Sequence, residues 1–520
     1  MKRFLSSILS VLAAASAVAQ GDVAVPRLVV GIAIDQLRTD YLEAFGPLYG
    51  EGGLKRLMRE GVVFSNIRFS SLNVDRASSV AGIYTGTCPF NHGIVAEDWL
   101  DRSSLRPVHC VDDFKVKGVN TRSTTSPQHL LASTLSDELK MGTNGDGLVY
   151  SVAPYRECAV LAAGHAADWA LWLDDETGAW AGSSYYGTPP TWTRYLDAKS
   201  VSNLANTTWK ATNSAVEHYN YYFSSYPSAA FTHRFTGANR YRQYMTSGLV
   251  NMTVTQTASF VLNQSGMGRD DVPDLLSLCY YAGTWDGKPV SEVATELQDT
   301  YVRLDAAIEN LLNEVDKTVG LRHTLFFVTS TGYQKTHGSE TVKYRIPTGI
   351  FHINRCAALL NMYLTATYGQ GKFVEAYYGN QLYLNHKLIE QKQLNLAKVL
   401  ETCENFLSDF EGVRDVFTST RLNREAGWGQ VNLVRNSYNS KCSGDIIIQP
   451  NPGWNLVNED LAQSTYVNDS NIDFPLIFFG FGLKPKRVQS PVYTDCIAPT
   501  VAHFMRIRAP NACSSSRLDI

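Results

Sequence analysis

Four short apolar runs limit what this chain of 520 residues can become. They span residues 29–34, 275–280, 325–329 and 476–481, and the first reads RLVVGIAI from Arg27, rich in β-branched side chains. Such runs are the mark of strands buried on both faces. Between them lie stretches with apolar residues at helical spacing, among them residues 292–315 and 394–410. Strands alternating with helices predict an α/β fold, a mostly parallel central sheet flanked by helices on both faces. The hydrophobic fraction of 44% is enough to fill the large core such a fold requires.

The first run ends in Asp35, and the carboxyl end of a central strand is where open α/β sheets carry their ligand sites. Residues 76–84 (RASSVAGIY) are small and apolar enough to begin a buried helix, with Asp75 in the N-cap position. A helix N-terminus beside a strand-end carboxylate is a ready place for a phosphate or a nucleophile. Here the residue that opens the helix is Arg76.

Residues 1–19 carry Lys2 and Arg3, an apolar stretch from Ile8 to Ala15 and the small residues Ala17, Val18 and Ala19, which together predict a signal peptide and a mature chain from Gln20. No later run reaches the length of a spanning helix, so the expectation is an exported protein without a transmembrane segment in the mature chain. A formal net charge of −3 argues against nucleic acid as a partner. Nine cysteines are scattered without a C-x-x-C pair, which gives no metal signature and leaves any disulfide pairing open. Two stretches differ from the rest and are expected as insertions in one domain spanning 20–520: about 105–271, rich in Tyr, Trp, Ser and Asn and expected as a cap, and about 333–463. Clustered tyrosines such as Tyr219, Tyr221, Tyr222 and Tyr226 suit either a docking face or the packing of an insertion onto the core.

Residues 29–42 (VVGIAIDQLRTDYL) and 84–99 (YTGTCPFNHGIVAEDW), with LAAGHAAD at 161–168, ELQDTYVRLD at 296–305, YLNHK at 383–387, FPLIFFGFG at 474–482 and PVYTDCIAPT at 491–500, resemble the bacterial periplasmic alkaline phosphatases of the PafA type, within the alkaline phosphatase and phosphodiesterase superfamily. The resemblance covers nearly the whole mature chain. It implies an alkaline phosphatase-like core and, in the family, two zinc ions with a Thr or Ser nucleophile, an arrangement that stabilises both the entering and the leaving oxygen.

Carried across residue by residue, the resemblance keeps one metal ligand, Asp35. The nucleophile position falls on Arg76. The remaining ligand positions fall on Thr284, Lys288, Thr331, Gly332 and Ser464, and the substrate-binding positions on Glu97 and on or near Tyr155 and Glu157. His92 and His165 match positions that are structural in the family. Ser78 or Ser79 as a shifted nucleophile, and His337 and Asp286 as displaced ligands, are the local alternatives.

The expectation is therefore a pseudophosphatase with no catalytic residue, no metal and no cofactor, working through an envelope or secretion-machinery partner in the periplasm of a Gram-negative bacterium. Asp35 is expected to pair with Arg76 or Lys288, because a buried unpaired charge is costly. The same two cations form a candidate anion-binding pair. The alternative is an active phosphomonoesterase or phosphodiesterase holding two zinc ions on relocated ligands.

Overall fold

A computed structural model describes residues 25–520 apart from 73, 200, 202, 220–228, 334–346, 425–428 and 468–471. The expected signal peptide, Tyr221, Tyr222, Tyr226 and His337 lie outside the described residues.

Among the described residues ten strands form the central sheet: β1 (Leu28–Asp35), β2 (Val62–Phe64), β3 (Gly118–Val119), β4 (Val149–Ala153), β5 (Trp169–Leu173), β6 (Trp180–Ser183), β7 (Asp274–Tyr281), β8 (Thr324–Ser330), β9 (Leu476–Gly480) and β10 (Lys486–Val488). Their spatial order is β10-β2-β9-β8-β1-β7-β4-β5-β6-β3. The middle five, β8-β1-β7-β4-β5, are all parallel. β9 runs antiparallel to both β8 and β2, so the fourth apolar run is a strand of the opposite sense. An apolar pattern records burial and carries no strand direction.

Every residue of β1 is buried. Leu28, Val30, Ile32 and Ile34 pack into the core on one face of the sheet, against helices α3 (Leu249–Ser265) and α4 (Val290–Thr318). Val29 and Ala33 face the other core, with helices α1 (Arg76–Thr85), α2 (Arg156–Ala163) and α5 (Ile497–Met505). Period-two alternation with apolar groups on both sides is what a fully covered strand requires.

The stretch of about 105–271 is not confined to a cap. It supplies β3 to β6, and Trp169, Trp172 and Trp180 are buried in the two cores, where their area stabilises the sheet. Tyr219 donates its hydroxyl to the Ala44 carbonyl at 2.6 Å, a packing contact. Residues 351–456 enclose a core of their own between the four-stranded sheet Val374–Tyr378, Gln381–Leu384, Ile446–Pro450 and Val413–Thr418 and the helices Ile353–Tyr368 and Leu396–Ser408. All nine cysteines are free thiols. No helix among the described residues is long and apolar enough to cross a membrane.

Candidate functional site

α1 is set against the carboxyl end of β1 by two local devices. At its start, Asp75 accepts the Ser78 N–H at 2.9 Å while the Ser78 hydroxyl reaches back to the Asp75 N–H at 3.0 Å, a reciprocal cap. Along its length every residue is buried, and Gly31 of β1 lets it approach: a Cβ there would overlap the Phe327 ring and come within 2.6 Å of the Tyr84 hydroxyl. Arg76, the first residue of α1, is thereby held over Asp35.

Arg76 is the hub of a buried ion cluster. Its Nη1 donates to Asp35 Oδ2 at 3.3 Å, its Nε to Glu157 Oε1 at 2.6 Å, and its Nη2 to both oxygens of Glu97 at 3.3 Å. The guanidinium lies 3.6 Å from the centroid of the Tyr155 ring, stacked on its face. Asp35 is completely buried and its other oxygen accepts the Thr331 hydroxyl at 3.0 Å. Thr331 Oγ1 in turn accepts the Gln36 N–H at 3.0 Å. The fork of an arginine is suited to this task, since it presents five donors and cannot be deprotonated.

Burial works against the charge on Arg76, but Glu157, Tyr333, Glu97 and Asp35 outweigh it and hold its pKa well above the usual value. Burial also opposes ionisation of Glu157, yet Arg76 and then His109 bring its pKa below the ordinary range. At two neighbouring carboxyls burial prevails over the cations around them. The carboxyls of Asp75 and Asp98 are both raised, Asp98 despite the nearby His109. His109 is lowered by burial, with Arg156 adding to the effect and Glu157 opposing it.

His109 comes from a short hairpin, Asp98–Asp101 with Arg106–His109, in which Asp98 and His109 are cross-strand partners. Its Nε2 lies 3.9 Å from Glu157 Oε2. Glu97, His109 and Glu157 each bring one donor atom to a common point, all within 4.8 Å of one another. Next to Glu157, Arg156 is bonded to Asp112 at 2.8 Å.

Of the residues singled out from the sequence, Asp35, Arg76 and Thr331 meet in this cluster, with Gly332 next in the chain, in the left-handed region at φ 68°. Glu97, Tyr155 and Glu157 join them. Lys288 does not. Its Nζ lies 4.9 Å from the Trp285 ring, so the pairing with Asp35 belongs to Arg76 alone of the two cations. The left-handed turn at Asp286 (φ 53°) sets Lys288 on that ring, where the π-face attracts the ammonium. Thr284 is buried, with its carbonyl accepting the Tyr281 hydroxyl at 2.7 Å. Ser464 stands exposed on the strand Gln463–Tyr466, opposite Val457. The candidate anion pair is thus separated, and Arg76 already serves three carboxylates.

The local alternatives are also engaged elsewhere. Ser78 Oγ donates to Asp75 Oδ1 at 2.8 Å and Ser79 Oγ to the Thr331 carbonyl at 2.6 Å. Asp286 accepts from Gln243 Nε2 at 3.1 Å. His92 is fully buried, and His165 is held between Asp137 at 2.9 Å and the Leu130 carbonyl at 3.0 Å. His109 and Asp98 were missed by sequence reasoning. The signal available was the DRSS turn between two short runs, which sets Asp98 opposite His109.

The family described as type I phosphodiesterase / nucleotide pyrophosphatase matches residues 29–472. Alkaline phosphatase PhoV of Synechococcus elongatus is 30% identical over 506 residues, covering 94% of this chain and 92% of its own length. Alkaline phosphatase PafA of Elizabethkingia meningoseptica is 28% identical, covering 98% of this chain and 97% of its own. A crystal structure of wild-type PafA superposes with a TM-score of 0.83 at 27% identity, over 96% of this chain and 99% of that one.

Proposed function

Since the chain belongs to the type I phosphodiesterase / nucleotide pyrophosphatase family and has the alkaline phosphatase-like α/β fold, we propose that it is a member that has exchanged hydrolysis for binding, an exported pseudophosphatase serving an envelope or secretion assembly. One observation carries the reading. Arg76, at the position the resemblance assigns to the nucleophile, is a guanidinium bonded to Asp35, Glu97 and Glu157. A guanidinium has no lone pair to attack phosphorus and does not lose its proton near neutral pH.

The charge of the pocket supports the same conclusion. A phosphate dianion needs donors and cations around it. Here Glu97 and Glu157 occupy positions that the resemblance gives to substrate binding, and they would repel it. The donor set around Asp35 does not fit a pair of zinc ions, each of which needs three or four N, O or S ligands. One oxygen of Asp35 takes the Thr331 hydroxyl and the other takes Arg76.

The test is steady-state hydrolysis of aryl phosphate monoesters and diesters by the purified mature protein in excess Zn²⁺. The expected outcome is no turnover above buffer. Turnover that disappears on chelation would establish the relocated-ligand enzyme instead.

A further inference from the structure

We propose that Glu97, His109 and Glu157 hold a single divalent ion of the zinc class, beside the Asp35–Arg76 pair and not at it. The three side chains offer a nitrogen and two carboxylate oxygens, a donor set zinc accepts, with the donor atoms within 4.8 Å of one another. A tetrahedral ion with bonds of about 2.1 Å separates its donors by about 3.4 Å, so the side chains need close by little more than an ångström.

Each ligand is oriented by a neighbour, as metal ligands commonly are. Glu157 is held through Oε1 by Arg76 Nε at 2.6 Å, which leaves Oε2 turned toward His109 Nε2 at 3.9 Å. For Nε2 to bind an ion, Nδ1 must keep the proton, and Cys110 Sγ lies 3.7 Å away as its acceptor. The Val111 N–H donates to the same Nδ1 at 3.4 Å, so an ion on Nε2 requires that bond to give way to the one with Cys110 Sγ. The Glu97 side chain is 35% exposed, which gives an ion a way in from solvent, whereas that of Glu157 is only 4% exposed.

Charge gives an independent reason. Among the described residues Asp35, Asp75, Glu97, Asp98, Asp112 and Glu157 lie around two guanidiniums, Arg76 and Arg156. Glu97 has a further partner besides Arg76, and a dication bound between the carboxylates of Glu97 and Glu157 would offset their mutual repulsion. The site uses the same cluster as the proposed function but does not depend on whether hydrolysis is lost.

The experiment is elemental analysis of the mature protein, stripped with a chelator, equilibrated with excess Zn²⁺ and desalted, for wild type, His109→Gln, Glu97→Gln and Asp35→Asn. Far-UV circular dichroism in zinc-free buffer checks that each variant folds, and the partly exposed Glu97 makes Glu97→Gln the safer of the two ligand variants. One zinc per chain in wild type and in Asp35→Asn, with at least tenfold weaker binding in both ligand variants, is the expected result. Cobalt in place of zinc should give visible absorption bands that His109→Gln loses. No zinc in the wild type, zinc unaffected by either ligand variant, or zinc lost only in Asp35→Asn would each overturn the assignment. Two zinc ions with ester turnover would contradict the proposed function. This assignment would then stand only if His109→Gln removed one of the two.

Discussion

His92 is a residue whose burial has a consequence for pH. It is wholly enclosed, its Nδ1 accepts the Ile94 N–H at 3.2 Å, and burial lowers its pKa to about 3 from an ordinary value of 6.5. Between those values the unfolded chain binds the proton and the folded chain does not. The stability from keeping His92 neutral is therefore complete above pH 6.5 and is lost as pH falls toward 3. Asp274, raised by burial to about 6, acts with the opposite sign between its ordinary range and 6. Comparing wild type with His92→Gln separates the two. In urea titrations from pH 6 to 4 the wild type should lose up to about 1.4 kcal/mol per pH unit more than the variant. Parallel curves would mean that His92 titrates normally. At this scale the site was partly legible: a carboxylate ending a buried strand needs a cation, and Arg76 supplies it. Lys288 was misread because chain spacing does not reveal the turn that sends it to Trp285. His109 was missed because it depends on a cross-strand pairing.

At the scale of the element, α1 and β1 together position Arg76. Asp75 caps α1 through Ser78 and also accepts the Glu97 N–H, tying the helix to the loop that carries Glu97. Asp75→Ala should cost about 1–2 kcal/mol, read by thermal denaturation. A cost near zero would mean that the cap is satisfied by water. Gly31 sits where α1 and β8 crowd β1, so Gly31→Ala forces the Phe327 and Tyr84 side chains to move. Overpacking of this kind costs about 1–3 kcal/mol, and an unchanged urea midpoint would show that the contact is loose. Strands and long helices were legible because burial on both faces and helical spacing leave marks in sequence. The helix expected at residues 292–315 is Val290–Thr318, and that at 394–410 is Leu396–Ser408. The direction of β9 and the entry of β3 to β6 into the main sheet were not legible, since pairing partners far apart in the chain leave no periodicity.

The whole molecule has an alkaline phosphatase-like fold, and in the function proposed here the centre of that fold has lost its usual chemistry. The two cores lie on the faces of the sheet, and the Arg76 cluster at the strand ends. A fold can persist while a handful of side chains decides its activity. Arg76 acts as an internal structural charge, closed on Asp35, Glu97 and Glu157. The urea unfolding free energy of Arg76→Met measures this most directly. Removing one member of a buried ion cluster strands the others, and the predicted loss is about 3–5 kcal/mol relative to wild type. A change within about 0.5 kcal/mol would mean that Arg76 is solvated and free, and not a structural charge.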